Sequence, residues 1–205
     1  MIFIGVTGGI GSGKSIVCSL FEKKEVLIFF SDIVAKEIID SDPIVFHKIV
    51  KQFGDQVVDS TKRKVDRKVL ADIVFQNSKE LDKLNGIVHP KVFEIFEQWK
   101  KDLPKKNTYA LVESAILFES GMFELIDYTI AVITDEEERI KRVSERDSVS
   151  REHVMARMKQ QLSYEELLEL SDFQIHNNGT ISDLTSKVNF FHTLFSTLTS
   201  PKELE

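Results

Sequence analysis

An α/β fold, built on a parallel five-stranded sheet with flanking helices, is predicted by three observations. Short aliphatic and β-branched runs occupy residues 2–6, 26–30, 109–112 and 128–133, with a weaker one at 173–175. Each is separated from the next by helical periodicity or by enough chain for a crossover, which sets consecutive strands parallel beneath covering helices. The first run passes straight into a glycine-rich turn, and five of the nine glycines fall within the first thirteen residues. A length of 205 residues with 42% hydrophobic content suits one domain carrying insertions better than two independent domains.

The first strand, 2–6, is apolar throughout and stopped by glycine, as a strand buried on both faces is. After the second strand at 26–30, the segment 32–108 reads mostly as helix. In "VFHKIVKQF", "KVLADIVFQNSKELDKLNGIV" and "PKVFEIFEQWKK" apolar residues recur at three- and four-residue spacing. Pro90 is placed at the opening of the last of these, where a proline is tolerated. This long segment is the expected substrate-side insertion. Beyond the strands at 109–112 and 128–133, Asp135 is the expected N-cap of "EEERIKRVSERD", and "SREHVMARMKQQLSYEELLEL" continues the helical pattern. The strand at 173–175 precedes a closing helix, "TISDLTSKVNFFHTLFSTL", whose aromatics are assigned to the core.

A net charge of −6 gives no overall basic field for nucleic acid or an anionic membrane, so any polyanion must meet a local basic patch. Cys18 is the only cysteine, which excludes an intramolecular disulfide framework and suits a reducing cytosol. No apolar run reaches the roughly 18 residues of a membrane span, and "MIFIGV" lacks the basic leader and length of a signal peptide. The expected location is the cytoplasm.

Residues 8–15 fit G-x-x-x-x-G-K-[ST], directly after a strand and before a helix, which is the context the motif requires. The glycines at 8, 9, 11 and 13 remove side chains that would stop backbone N–H groups from turning inward, and those donors with the helix N-terminus make an anion nest. Lys14 then reaches the β- and γ-phosphates, and the Ser15 hydroxyl is a ligand for Mg²⁺. The implied ligand is a nucleoside triphosphate. Asp32 lies just past the second strand, at the sheet edge where ligands collect; it reads either as the acceptor of a hydroxyl proton or as a helix N-cap. Glu113 ends the third strand at the same edge. Five of seven arginines, Arg139, Arg142, Arg146, Arg151 and Arg157, fall in one helical segment. Their forks suit phosphate oxygens, and interleaved glutamates account for most of them as a solvated face. Asn177 and Asn178, before Gly179, read as a turn or as amides facing a base.

In these stretches the chain resembles the dephospho-CoA kinase family over nearly its whole length: "GVTGGIGSGKS", "SDIVAKE", "DRKVLADIVF", "LNGIVHP", "ESAILFE", "RDSVSREHVMARMKQQ" and "IHNNG". The resemblance implies a P-loop nucleotide-kinase-like fold that transfers the γ-phosphoryl group of ATP, with Mg²⁺, to the ribose 3′-hydroxyl of dephospho-CoA. It implies a core at about 1–31, 109–135 and 170–200, a helical acceptor-binding insertion at about 32–108 and a lid at about 136–169. ATP contacts are implied at Gly8, Gly9, Ile10, Gly11, Ser12, Gly13, Lys14, Ser15 and Ile16, with Arg146 from the lid and Asn177 near the adenine. Thr7, Asp32 and His89 match acceptor-side positions, Asp32 as the base. Where the family usually reads D-A-D, this chain has Phe30, Ser31 and Asp32; Ile16 stands for a usual threonine and Ala115 for a usual proline. Two other readings share the cradle: a nucleoside or nucleoside-monophosphate kinase, and a regulatory NTPase. The second lacks the N-K-x-D sequence that reads guanine.

Overall fold

The computed structural model describes residues 1–59, 61, 64–74, 77–104 and 107–198. In chain order the elements are β1 (Ile2–Thr7), α1 (Lys14–Glu22), β2 (Ile28–Phe30), α2 (Ser31–Ser41), α3 (Pro43–Phe53), β3 (Val58–Asp59), β4 (Lys64–Val65), α4 (Arg67–Val74) and α5 (Ser78–Asp102). They continue as β5 (Tyr109–Glu113), β6 (Tyr128–Ile133), α6 (Glu136–Asp147), α7 (Arg151–Met158), α8 (Tyr164–Leu170), β7 (Phe173–His176) and α9 (Ile181–Phe195). Two compact units result: Met1–Phe30 with the chain from Leu103 onward, and Ser31–Asp102.

The first unit is built on a five-stranded sheet in the order β2-β5-β1-β6-β7, parallel at every pairing. This is the predicted class. Ile2, Ile4 and Val6 of β1 point to one face, where they pack with Val17 and Phe21 of α1 and Val188 and Phe195 of α9. On the other face Gly5 leaves room for Leu117 and Ile126, whose side chains occupy the place a β-carbon would take. The aromatics of α9 divide as their spacing requires: Phe191 and Phe195 are buried, and Phe190 is exposed. Parallel register carries Thr7, Phe30, Glu113, Ile133 and His176 to the carboxyl ends of their strands, the edge at which ligands of open α/β sheets bind.

The strand expected at 26–30 is shorter, with pairing confined to Ile28–Phe30. The pattern at 150–170 is two helices, because Ser163 interrupts it: its hydroxyl accepts from Glu166 N while the Glu166 carboxylate accepts from Ser163 N. Asp135 does stand at the N-cap position of α6, yet its side chain makes no cap bond and accepts instead from Asn178 Nδ2 at 2.7 Å.

The second unit packs α5 against α2, α3 and α4, with the β3–β4 antiparallel pair beside them. Pro90 does not open a helix: α5 runs through it for 25 residues. The buried Val88, Val92 and Phe96 keep a four-residue spacing across the proline, so burial of that stripe outweighs the hydrogen bond to the Gly86 carbonyl that Pro90 cannot make. Residues 75–76 of the helical stretch expected before it, and 199–200 of the expected core, lie outside the described residues.

Candidate nucleotide site

The turn between β1 and α1 holds its carbonyl groups outward. Gly8 O accepts from Lys14 Nζ at 2.7 Å and Gly9 O from Ser12 N at 3.1 Å. Ile10 O accepts from Arg139 Nε at 3.0 Å. Ser12 O takes both Asn177 Nδ2 and Thr134 Oγ1, each at 2.9 Å, and Gly13 O takes Ile16 N at 3.0 Å and Val17 N at 3.1 Å. With the acceptors tied to protein, the N–H groups of Gly11, Gly13 and Ser15 are left without a hydrogen-bond partner among the described residues. A row of free donors at a helix N-terminus is an anion site. Gly13 must be glycine twice over: its φ is +93°, and the Asn177 amide lies where a β-carbon would stand.

Three buried polar atoms without partners surround this nest: Thr7 Oγ1, Ser12 Oγ and Arg142 Nη1. Buried polar groups are rarely left so. Lys14 is 8% exposed, within the loop it serves, whereas Ser15 is exposed at the loop exit. Ile16 is exposed as well.

The arginines separate by their surroundings. Arg139 lies over Gly9, and its desolvation lowers its pKa. Arg142 donates from Nε to Glu138 at 2.9 Å and from Nη2 to Asn177 O at 3.3 Å. Arg146 has a side chain 63% exposed and forms a two-point pair with its neighbour Asp147, at 2.8 and 3.2 Å, which Arg157 also contacts at 3.0 Å. Arg151 pairs with Glu137. The structure therefore gathers Thr7, the loop, Lys14, Ser15, Asn177 and, unexpectedly, Arg139 and Arg142; it leaves Arg146 paired at the far end of α6. Sequence spacing offers no way to choose among the five, because their distinguishing partners lie at residues 9–13 and 177. Asn177 is 6% exposed and spends its Nδ2 on the loop, so this amide supports the cradle directly.

Glu113 stands in register with Val6 and Phe30 and is half-buried. Burial, and secondarily the Glu113 charge, push the Cys18 thiol well above its ordinary range, so it is an inert core group. Phe30, in place of a carboxylate, packs against the core.

In the second unit Asp32 is not an N-cap, because α2 begins one residue earlier, at Ser31. It lies half-buried in the first turn, and its carboxylate makes no hydrogen bond or ion pair among the described residues. His89 sits mid-helix in α5 with its ring 6.2 Å from that of Phe93, and burial lowers its pKa, favouring the neutral ring.

The family model described as dephospho-CoA kinase matches residues 2–183. A dephospho-CoA kinase of Salinibacter ruber is 43% identical over 188 residues, covering 91% of this chain and 94% of that protein. A crystal structure from Thermus thermophilus superposes with a TM-score of 0.82 at 29% identity, covering 97% of this chain and 98% of the other. The dephospho-CoA kinase of Campylobacter jejuni does so with 0.70 at 29% identity, covering 95% and 96%. A parallel sheet with its phosphate loop after β1, matched across nearly the whole chain by this model and these relatives, places the chain in the dephospho-CoA kinase family.

Proposed function

We propose that this chain transfers the γ-phosphoryl group of ATP to the ribose 3′-hydroxyl of dephospho-CoA, giving coenzyme A and ADP, in the cytoplasm and with Mg²⁺. The observation that carries the reading is the loop whose carbonyls face the protein and whose Gly11, Gly13 and Ser15 N–H groups remain free, in a chain of this family. Residues 8–16 line the triphosphate. Lys14 exchanges the Gly8 carbonyl for the γ-phosphoryl group and follows it into the transition state. Arg142, oriented by Glu138 and the Asn177 carbonyl, turns its unpartnered Nη1 to a phosphate oxygen, with Asn177 holding that side of the nucleotide site near the adenine. Arg146 is the lid arginine of the segment 136–169, trading Asp147 for phosphate oxygen on closure.

On the acceptor side, Thr7, Asp32 and neutral His89 bind dephospho-CoA, the last two from the helical insertion. Asp32 takes the 3′-hydroxyl proton as the oxygen attacks the γ-phosphorus and ADP leaves; its lack of a protein partner supports this role. The Ser15 hydroxyl, exposed and unpartnered among the described residues, is a hard oxygen donor that suits Mg²⁺. When bound, the ion offsets charge on the β- and γ-phosphates. The single, buried cysteine supports a cytoplasmic location, and among the described residues no helix is long and apolar enough to cross a membrane.

The test is ADP release from ATP over a panel of acceptors. Dephospho-CoA should stimulate it strongly, and nucleoside monophosphates should not. Stimulation by a nucleoside monophosphate alone would transfer the chain to another acceptor class. Acceptor-independent hydrolysis would make it a regulatory NTPase.

A further inference from the structure

Two side chains that the reaction does not use hold the tip of the phosphate loop from outside. Ile10 N donates to Gln161 Oε1 at 2.8 Å, and Ile10 O accepts from Arg139 Nε at 3.0 Å. Gln161 lies between α7 and α8, and its other amide atom, Nε2, donates to Ala115 O at 3.1 Å. Because each end of the amide has a different backbone partner, it fits only one way round. The next residue is pinned too, with Leu162 N donating to Glu119 Oε1 at 3.0 Å.

Arg139 reaches the tip from α6. A β-carbon on Gly9 would collide with its guanidinium, and Gly9 is not among the glycines with positive φ, so Gly9 is glycine to admit Arg139 and not to bend the chain. The two terminal nitrogens of Arg139 have no hydrogen-bond partner among the described residues, so its one bond, to Ile10 O, fixes its place. Both side chains also line a cleft of about 610 Å³.

Glycine has more conformational freedom to lose than any other residue, so a loop with glycine at 8, 9, 11 and 13 is costly to order, and ordering it on binding subtracts from affinity. We propose that Arg139 and Gln161 are positioning residues that hold residues 9–11 in the triphosphate-receiving conformation before ATP arrives. The inference rests on the kinase reading, because it takes ATP as the ligand of the loop.

The experiment compares wild type, Arg139→Met, Gln161→Ala and the double variant. It measures ATP affinity by calorimetry, kcat at saturating ATP, melting temperature, and hydrogen exchange of the Ile10 amide. Each single variant should weaken ATP binding about 10-fold, the equivalent of one net hydrogen bond, with kcat within about 3-fold. Melting should move by no more than about 2 °C, and Ile10 exchange should quicken in Gln161→Ala. Because both act on one tip, the double variant should lose less than the product of the singles. Unchanged ATP affinity in both single variants overturns the proposal, as does a loss of affinity accompanied by faster exchange throughout α6 and α7 and a lower melting temperature. Wild-type protein that binds ATP but does not phosphorylate dephospho-CoA instead overturns the kinase reading and leaves the clamp standing.

Discussion

Asp32 is the only carboxylate among residues 30–32, since Phe30 fills the position of a second one with a ring packed on the core. It has no protein partner among the described residues, so Asp32→Asn removes a charge and no contact. We expect kcat to fall about 10²–10⁴-fold, the usual worth of a general base, with ATP affinity near wild type. A first-turn charge is worth only about 0.3–1 kcal/mol to its helix, so the melting temperature should barely move. An Asp32→Asn enzyme with near wild-type kcat ends the catalytic assignment. The arginines make a second comparison. Arg142 has a buried Nη1 with nothing to donate to, so Arg142→Ala should weaken ATP binding about 10-fold or more, as loss of a charge-assisted bond does. Arg146 is exposed and its partner Asp147 keeps Arg157, so Arg146→Ala should spare stability and ATP affinity and lower kcat, as removal of a contact made only on closure does. Full kinetics and calorimetry on both variants decide it: an Arg146→Ala enzyme with wild-type kcat takes that residue out of the lid role.

At the scale of elements, α5 carries two residues that weaken helices, Gly86 and Pro90, four apart. Gly86 is exposed and a β-carbon there meets nothing within 4 Å, so Gly86→Ala should stabilise the protein by about 0.5–1 kcal/mol, seen as a higher melting temperature. A lower one would mean that residue 86 needs a backbone freedom alanine lacks. Pro90 also shows where sequence reading runs out. The same residue suits the first turn of one helix or the interior of a longer one, and only the unbroken stripe of Val88, Val92 and Phe96 tells them apart. The strands and the phosphate loop were legible because their signals are local: apolar runs buried on both faces, then glycine, lysine and serine within fifteen residues. Two-residue β3 and β4 are too short for any periodicity. The Ser163 to Glu166 capping box was present in the sequence as S-x-x-E, and the stronger helical pattern around it hid it. Whether Arg139 and Arg142 serve the loop depends on contacts 129 and 35 residues away, which no window of sequence contains.

For the whole molecule, the chain leaves the sheet unit after Phe30 and returns at Leu103, so all helices from α2 to α5 form one excursion. Both substrates are polyanions, and a chain of net charge −6 must receive them at local sites. The assignments divide those sites between the units: the loop, Arg142 and Asn177 in one, Asp32 and His89 in the other. Backbone groups that gain a ligand or lose access to water exchange hydrogen more slowly, so each substrate should leave its own map. ATP alone should slow exchange at residues 10–17 and 134–142. Dephospho-CoA alone should slow it within 31–102, above all in the first turn of α2 and around His89 in α5. With ADP and dephospho-CoA together, a product and a substrate that cannot react, protection should extend into 151–163 if the proposed lid closes only with both sites filled. Protection by dephospho-CoA confined to the sheet unit would remove the 31–102 unit from acceptor binding. If 151–163 respond fully to ADP alone, the segment is part of the nucleotide site and not a lid that waits for the acceptor.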